Sequence, residues 1–236
     1  MTHVKNVEAL TRLVSLCSGY GGTYNPGRQT LQVKALASQL SQARQALQNV
    51  VLTKSRYEQV VTQRELKFRE AVQVARKAVR TLGTFDIERQ RMDDIRALLR
   101  LLGGTKKYKP PVALPEGEEP KAGRSKPRAY PSRAQYFAEL VQAIQLEPLY
   151  RSNEASLTKE SLTTLAAQLE ALNRQVAEAY AAWSHARKVR NQLLYTNAQS
   201  VHQVIKAVKD YVSVLFGTTS EEYRQVMQLS FTKMYR

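Results

Sequence analysis

The sequence predicts an all-α fold, an internally duplicated and elongated helical bundle with two repeats of four helices each. Two observations predict it. Apolar residues recur at alternating spacings of four and three, the pattern of a helix that buries one face. The same pattern also returns in the second half of the chain, 129 to 133 positions further on. Because three segments recur in the same order, chance similarity explains the pattern poorly.

The first and second helices of each repeat carry most of this pattern. In the first helix, Val7, Leu10 and Val14 correspond at an offset of 130 to Phe137, Leu140 and Ile144. The seam of the second helix lies at Leu36, Leu40, Ala43, Leu47, Val50, Lys54, Tyr57 and Val61. At an offset of 129 it corresponds to Leu165, Leu169, Leu172, Val176, Ala179, Trp183, Ala186 and Arg190.

The third helices match at a different offset, 133, which pairs Phe68 with Val201 and Val79 with Val212. The change from 129 to 133 predicts four extra residues near positions 194–199, and inserts of that kind belong in loops. In the first repeat we place the helices near 3–18, 29–62, 66–82 and 86–102. The second of these would be about 50 Å long at 1.5 Å per residue.

Breaker residues set the expected helix ends. Gly83, Gly103 and Gly217 stand where a helix often ends in a left-handed residue. After Gly217, the run Thr219–Glu222 has the spacing of a capping box and predicts a last short helix.

A proline-rich segment divides the chain. Residues 105–133 contain six of the eight prolines, charges of both signs and few apolar side chains, so an extended tether is expected there. The predicted organisation is a first helical repeat over 1–104, this linker, and a second repeat over 134–236. Whether the repeats form one bundle or two stays open.

The net charge of +16 is concentrated in the first repeat and the linker. Residues 1–104 contribute +9, 105–133 contribute +5 and 134–236 only +2. Six arginines form two strips at helical spacing and are the candidate anion-binding residues: Arg69, Arg76, Arg80, Arg89, Arg96 and Arg100. The second repeat does not share them, so folding does not require them. An anionic partner is one interpretation; a solvated face whose arginine stems cover the core edge is the favoured one.

No residue pattern of a catalytic, metal or cofactor site is recognisable. The three histidines have no carboxylate or cysteine at ligand spacing, and the glycine-rich stretch near residue 20 lacks the lysine of a phosphate loop. The single cysteine, Cys17, is expected to be a buried small side chain, and Trp183 a core residue. Tyrosines cluster near helix ends, at Tyr20, Tyr24, Tyr150, Tyr211 and Tyr223, which predicts packing or an interface.

Recognisable runs are Gly19–Pro26 near the start, Leu114–Pro120 in the middle, and Arg187–Tyr195, Val208–Val212, Phe216–Gly217, Ser220–Tyr223 and Leu229–Lys233 near the end. They resemble a family of two-repeat, all-helical hypothetical proteins from bacteria, mainly Bacteroidota. The resemblance implies two similar helical halves over nearly the whole length. It implies no activity and no site residues.

These observations leave three classes of function open. The leading hypothesis is a non-enzymatic helical structural or interaction protein that binds another protein or itself. The alternative is a polyanion-binding module, with nucleic acid as the ligand of the basic strips, and an enzyme is the third. We expect no membrane span, because no apolar run approaches the length of one. We also expect no cofactor and a cytoplasmic location, with which a single cysteine is compatible.

Overall fold

The structure, a computed structural model, describes residues 2–103 and 129–232, and every regular element within those ranges is helical. In chain order the α-helices are α1 (Thr2–Gly19), α2 (Val33–Leu82), α3 (Arg89–Leu102), α4 (Tyr130–Gln145), α5 (Lys159–Asn191), α6 (Val201–Phe216) and α7 (Glu221–Met227). The prediction of an all-α fold is confirmed. Most of the predicted tether, residues 104–128, lies outside the described residues.

Helix α2 runs without a break through residues 62–66, where the sequence analysis separated two helices. That separation was wrong. No glycine or proline occurs between Val33 and Leu82, so no residue removes a backbone hydrogen bond or favours a left-handed turn. The first half of the chain therefore has three described helices instead of four.

The second half of the chain does leave the helical path after its long helix. Helix α5 ends at Asn191, a π-helical turn follows over Gln192–Thr196, and α6 begins at Val201. The four extra residues were predicted near 194–199, in this interruption.

The helix ends agree only in part with the glycine predictions. Gly217 has φ +84° and terminates α6 as expected, and Ser220 then caps α7 by accepting a hydrogen bond from the Tyr223 backbone N–H at 3.1 Å. Gly103 has φ −56°, and Gly83 has no positive φ either, so these two end their helices in right-handed or extended backbone. Helix α4 begins at Tyr130, four residues before the expected start of the second repeat, with Pro131 in its first turn.

The chain packs as two compact units, each with its own hydrophobic core. Unit 1 consists of Met1–Tyr57 and Ala179–Arg236, and unit 2 of Glu58–Glu178. Fully buried side chains in unit 1 include Leu10, Leu13, Cys17, Leu36, Leu194, Val201, Val208, Val212 and Val226. Those in unit 2 include Phe68, Ala75, Leu82, Leu102, Phe137, Leu140, Ile144, Leu162 and Leu169.

This division differs from the predicted one at residues 1–104 and 134–236. Each unit combines segments from both halves of the sequence, because α2 and α5 each contribute one part to unit 1 and the other part to unit 2. Since α2 has no breaker, it continues as one helix. Its first part packs in the core of unit 1 and its last part in the core of unit 2.

Two loops make the same hydrogen bond. In unit 1 the Tyr24 hydroxyl donates to the Leu31 carbonyl at 2.9 Å, and in unit 2 the Tyr150 hydroxyl donates to the Leu157 carbonyl at 2.7 Å. Each of these leucines ends a short 3-10 turn, Gln29–Leu31 or Ala155–Leu157, just before the long helix begins. Both tyrosines are buried, so each hydroxyl is satisfied inside its unit.

Candidate functional site

The six predicted arginines are all exposed, on two helices of unit 2. Arg69, Arg76 and Arg80 lie on α2, and Arg89, Arg96 and Arg100 lie on α3. Within the described part of the chain, only Arg96 among the six has an ion pair, with Asp93 at 3.3 Å. The exposed positions agree with either a solvated face or an anion-binding face.

The two strips differ in their acidic neighbours. Along residues 86–100 four arginines alternate with four acids, Asp86, Glu88, Asp93 and Asp94, so the surroundings of the α3 strip are formally neutral. Along residues 65–80 of α2, five basic residues face only Glu65 and Glu70. Arg80 also stands in the last turn, where the helix dipole favours a cation. Only the α2 strip keeps an excess of positive charge.

A partly exposed aromatic cluster in unit 1 was not predicted as a site. We call Tyr57, Tyr180, Trp183 and Arg187 the tryptophan surface. Tyr57 stacks on Trp183 with 5.5 Å between ring centroids and 20° between planes, and Tyr180 meets Trp183 edge-on at 6.1 Å. The Arg187 guanidinium lies 5.2 Å from the Trp183 ring centroid. Tyr180 is 52% exposed, so the cluster reaches the surface.

Trp183 is therefore not the fully buried core residue that its seam position predicts. Its ring is partly exposed, and its buried Nε1–H has no acceptor among the described residues. The reason lies in the helix it packs against. Within unit 1, Ala43 is the last buried residue of α2, and none from 44 to 57 is buried. A seam position indicates that a side chain lies on the inward face of its helix. It does not indicate how completely neighbouring side chains cover that side chain.

The helix segments that carry the tryptophan surface contain no acidic residue. From Val33 to Tyr57 and from Ala179 to Asn191 the basic residues are Lys34, Arg44, Lys54, Arg56, Arg187, Lys188 and Arg190. The nearest acids in sequence, Glu58 and Glu178, stand just outside these segments. Tyrosine, tryptophan and arginine are also the residue types most enriched among the energetically dominant contacts of protein interfaces.

A second polar cluster in unit 1 surrounds Tyr195 in the π-helical turn. The Tyr195 hydroxyl lies 2.8 Å from His3 Nδ1 and accepts a hydrogen bond from Asn6 Nδ2 at 3.0 Å. Asn6, which is 1% exposed, also donates to the Thr232 carbonyl and accepts from the Thr232 backbone N–H. These contacts tie the first helix to the π-helical turn and to the C-terminal segment.

The Tyr195 cluster is held in neutral form. Burial, reinforced by the nearby Arg190, lowers the pKa of His3, and burial raises the pKa of the Tyr195 hydroxyl. A neutral imidazole and a neutral phenol that bond to each other are satisfied groups, which supports a structural role. No sequence motif could have indicated the cluster, because 189 to 226 positions separate the bonded residues.

In unit 2, two arginines flank Tyr130 at the start of α4. The Cζ atom of Arg64 lies 4.0 Å from the Tyr130 ring centroid and that of Arg133 lies 5.2 Å from it. Arg133 also donates from Nε to the Leu102 carbonyl at 3.0 Å. Phe68 packs edge-on against Tyr130 at 4.9 Å.

Other sequence-predicted residues are packed side chains. Cys17 is fully buried as expected, and burial raises its pKa to about 11, so the thiol stays protonated and unreactive at neutral pH. Tyr24 packs edge-on against Tyr211 at 5.4 Å, and Tyr20 packs on Phe216 at 5.0 Å. These tyrosines close the end of the unit 1 core.

The part of the chain that the structure describes contains no group of three or more His, Cys, Asp or Glu residues able to hold a metal ion. Over the same residues no helix is long and apolar enough to cross a bilayer. In comparisons with known proteins, no family model, no curated protein and no solved structure matches this chain.

Proposed function

We propose that this chain is a non-enzymatic helical interaction protein that binds an acidic helical segment of another protein through the tryptophan surface. The observation that carries the proposal is the partly exposed stack of Tyr57, Tyr180 and Trp183 with Arg187. Rigid aromatic rings bury a large apolar area at a low cost in conformational entropy, and an arginine beside them can pair with a carboxylate.

Charge favours an acidic partner over a second copy of the chain. Close to the surface in sequence, Lys54, Arg56, Arg187, Lys188 and Arg190 outnumber the two acids Glu58 and Glu178. The whole chain has a net charge of +16, so two copies repel each other unless acidic patches meet basic ones. An amphipathic helix with glutamates beside its apolar face supplies both apolar contact and opposite charge.

We also infer that the chain is an internal duplication with a register of 126 in its long helices. The two hydrogen-bonded loops support this offset, because Tyr150 and Leu157 lie 126 positions after Tyr24 and Leu31. Each unit has an open cleft beside a long helix, with a volume of about 340 Å³ in unit 1 and about 350 Å³ in unit 2. The residues lining the two clefts also correspond at an offset of 126. Five residues of the unit 1 cleft are Thr30, Ala35, Ser38, Gln39 and Gln42. Their counterparts 126 positions later line the unit 2 cleft: Ser156, Ser161, Thr164, Leu165 and Gln168. Leu36 then corresponds to Leu162, and not to Leu165.

Polyanion binding is a second candidate, now restricted to the α2 strip. Arg69, Arg76 and Arg80 are exposed, and within the described ranges none has an acidic partner. The balanced charges around α3 give its arginines less attraction for a phosphate backbone. A cytoplasmic location and membership of the Bacteroidota family stay predictions.

The proposal can be tested with the only tryptophan of the chain, since Trp183 lies in the proposed site. A tryptophan-free amphipathic peptide with glutamate on its polar face is titrated into the full chain. We expect a blue shift of Trp183 emission and protection from acrylamide quenching. Changing Tyr180 to Ala should weaken binding roughly tenfold or more, as loss of an interface hot spot does, while the circular dichroism stays unchanged.

Two controls make the titration specific. The same peptide with lysine in place of glutamate should not bind, and changing Arg69, Arg76 and Arg80 in unit 2 to Gln should leave the Trp183 response unchanged. Peptide binding detected by anisotropy without any change in Trp183 emission would place the interaction elsewhere and refute the proposed surface.

A further inference from the structure

The pair Arg64 and Arg133 concentrates positive charge around one ring in unit 2. Since their Cζ atoms lie 4.0 and 5.2 Å from the same Tyr130 centroid, the two guanidinium carbons are no more than about 9 Å apart, the sum of those distances. Both side chains are partly buried, so water screens their mutual repulsion less than at a free surface.

Nothing negative in the described ranges compensates this pair. No carboxylate oxygen there lies within ion-pair distance of either guanidinium. Arg133 also stands in the first turn of α4, at the positive end of the helix dipole. That turn contains no acidic residue, and no side chain caps it. Three sources of positive potential therefore lie near Tyr130, and no carboxylate of the described ranges is paired with them.

The orientation of both side chains is restrained by their surroundings. Arg133 donates from Nε to the Leu102 carbonyl, and its guanidinium lies 5.1 Å from the Phe68 ring centroid. Burial lowers the pKa of Arg133, which Tyr130 partly offsets. The Nε of Arg64 is buried without an acceptor. An arginine has five N–H donors, and Arg133 bonds through them only to the Leu102 carbonyl and the Tyr130 side chain among its described neighbours, so it keeps further donors for a ligand.

Unit 1 makes the same kind of contacts with neutral side chains. His3 packs against Tyr195 at 5.7 Å as Tyr130 packs against Phe68, and Asn6 donates to the Thr232 carbonyl as Arg133 donates to that of Leu102. In unit 1 the polar groups satisfy one another. Unit 1 also has an arginine near this contact, Arg190, but its guanidinium donates to the Asn191 side chain. No side-chain carboxylate or amide in the described ranges accepts a hydrogen bond from Arg64 or Arg133.

We propose that Arg64 and Arg133 form a binding site for a small oxyanion of the phosphate class. Charged N–H···O⁻ hydrogen bonds of about 2.8 Å from each guanidinium can hold such an anion between them, because the two guanidinium carbons are no more than about 9 Å apart. The uncapped N-terminus of α4 adds a favourable dipole. The site lies in unit 2, among residues different from those of the tryptophan surface and of the two arginine strips.

The test is calorimetric titration of the full chain with sodium phosphate and with pyrophosphate, at an ionic strength held constant with sodium chloride. We expect saturable binding, with pyrophosphate the tighter ligand if the site accepts a phosphate group carried by a larger molecule. Equal affinities would indicate free phosphate as the natural ligand. Arg64→Gln and Arg133→Gln should each weaken binding roughly tenfold, the loss expected of a charge-assisted contact.

Matched controls come from exposed arginines of the same unit. Arg151→Gln and Arg174→Gln, at exposed positions outside the two arginine strips, remove the same charge and should change the affinity less than about twofold, as expected for screened surface charges. If Arg133→Gln fails to fold because the Leu102 carbonyl loses its donor, Arg64→Gln alone decides. The proposal is overturned if the unmodified chain shows no saturable binding, or if Arg151→Gln weakens binding as much as Arg64→Gln.

Discussion

At the scale of single residues, burial distinguishes most seam positions from the rest of the helix surface. Leu169 and Val208 are fully buried, whereas Gln175 is exposed on the same long helix as Leu169. Lys54, another predicted seam position, is exposed. The heptad pattern therefore predicts buried positions correctly within each core, and less well at the middle of the long helix α2.

Truncation of the core leucine or valine should be costly. Leu169→Ala and Val208→Ala should each reduce the free energy of unfolding by about 2–4 kcal/mol, because each leaves a cavity in a packed core. Gln175→Ala should cost less than about 0.5 kcal/mol. Urea denaturation of the three variants measures the differences, and equal shifts of the midpoint would mean that these burial assignments fail.

The His3–Tyr195 contact should make stability depend on pH. The folded pKa of His3 is below its ordinary value of 6.5, so the folded state favours the neutral imidazole. Stability from this group is complete above pH 6.5 and is lost as the pH falls from there through the lowered folded pKa.

Urea midpoints at pH 8 and pH 5 test this. The chain should lose more stability on acidification than its His3→Gln variant, whereas His185→Gln, at an exposed position, should behave as the parent does. An identical loss in parent and His3→Gln would show that His3 is not responsible.

At the scale of elements, the continuity of α2 is the main departure from the sequence-based prediction. Gln63→Gly at an exposed position inside α2 should reduce the free energy of unfolding by about 1 kcal/mol, the usual cost of glycine in a helix interior. Ala198→Gly, in the turn between the π-helical segment and α6, should cost much less. Chemical denaturation measures both, and similar small effects would favour the two separate helices first predicted.

The two arginine strips should differ as polyanion ligands. Changing Arg69, Arg76 and Arg80 of the full chain to Glu should reduce its binding to DNA or RNA more than changing Arg89, Arg96 and Arg100, since acids already balance α3. Log affinity should fall with log salt at a slope of roughly −0.7 to −0.9 per phosphate neutralised. Gel-shift titrations at two salt concentrations decide the matter, and an unretarded parent chain at low salt would eliminate nucleic acid as a ligand.

At the scale of the whole molecule, packing groups the chain differently from the order of its sequence. Unit 1 contains segments from both ends of the chain, and unit 2 contains the middle. Because of this grouping, the basic residues of one unit come from both halves of the sequence. The segments beneath the tryptophan surface draw basic residues from α2 and from α5, although the second half of the sequence has a net charge of only +2.

The sequence by itself determined the all-α class, the buried faces near each core, the interruption before α6 and the cap of α7. These depend on spacings of three or four residues and on local breakers and caps, which neighbouring residues decide. Only the tertiary structure decided that Tyr57 stacks on Trp183, that His3 and Asn6 meet Tyr195, and that two arginines flank Tyr130. Those contacts join residues distant in sequence, and they form because separate helices share one core, which no local spacing records.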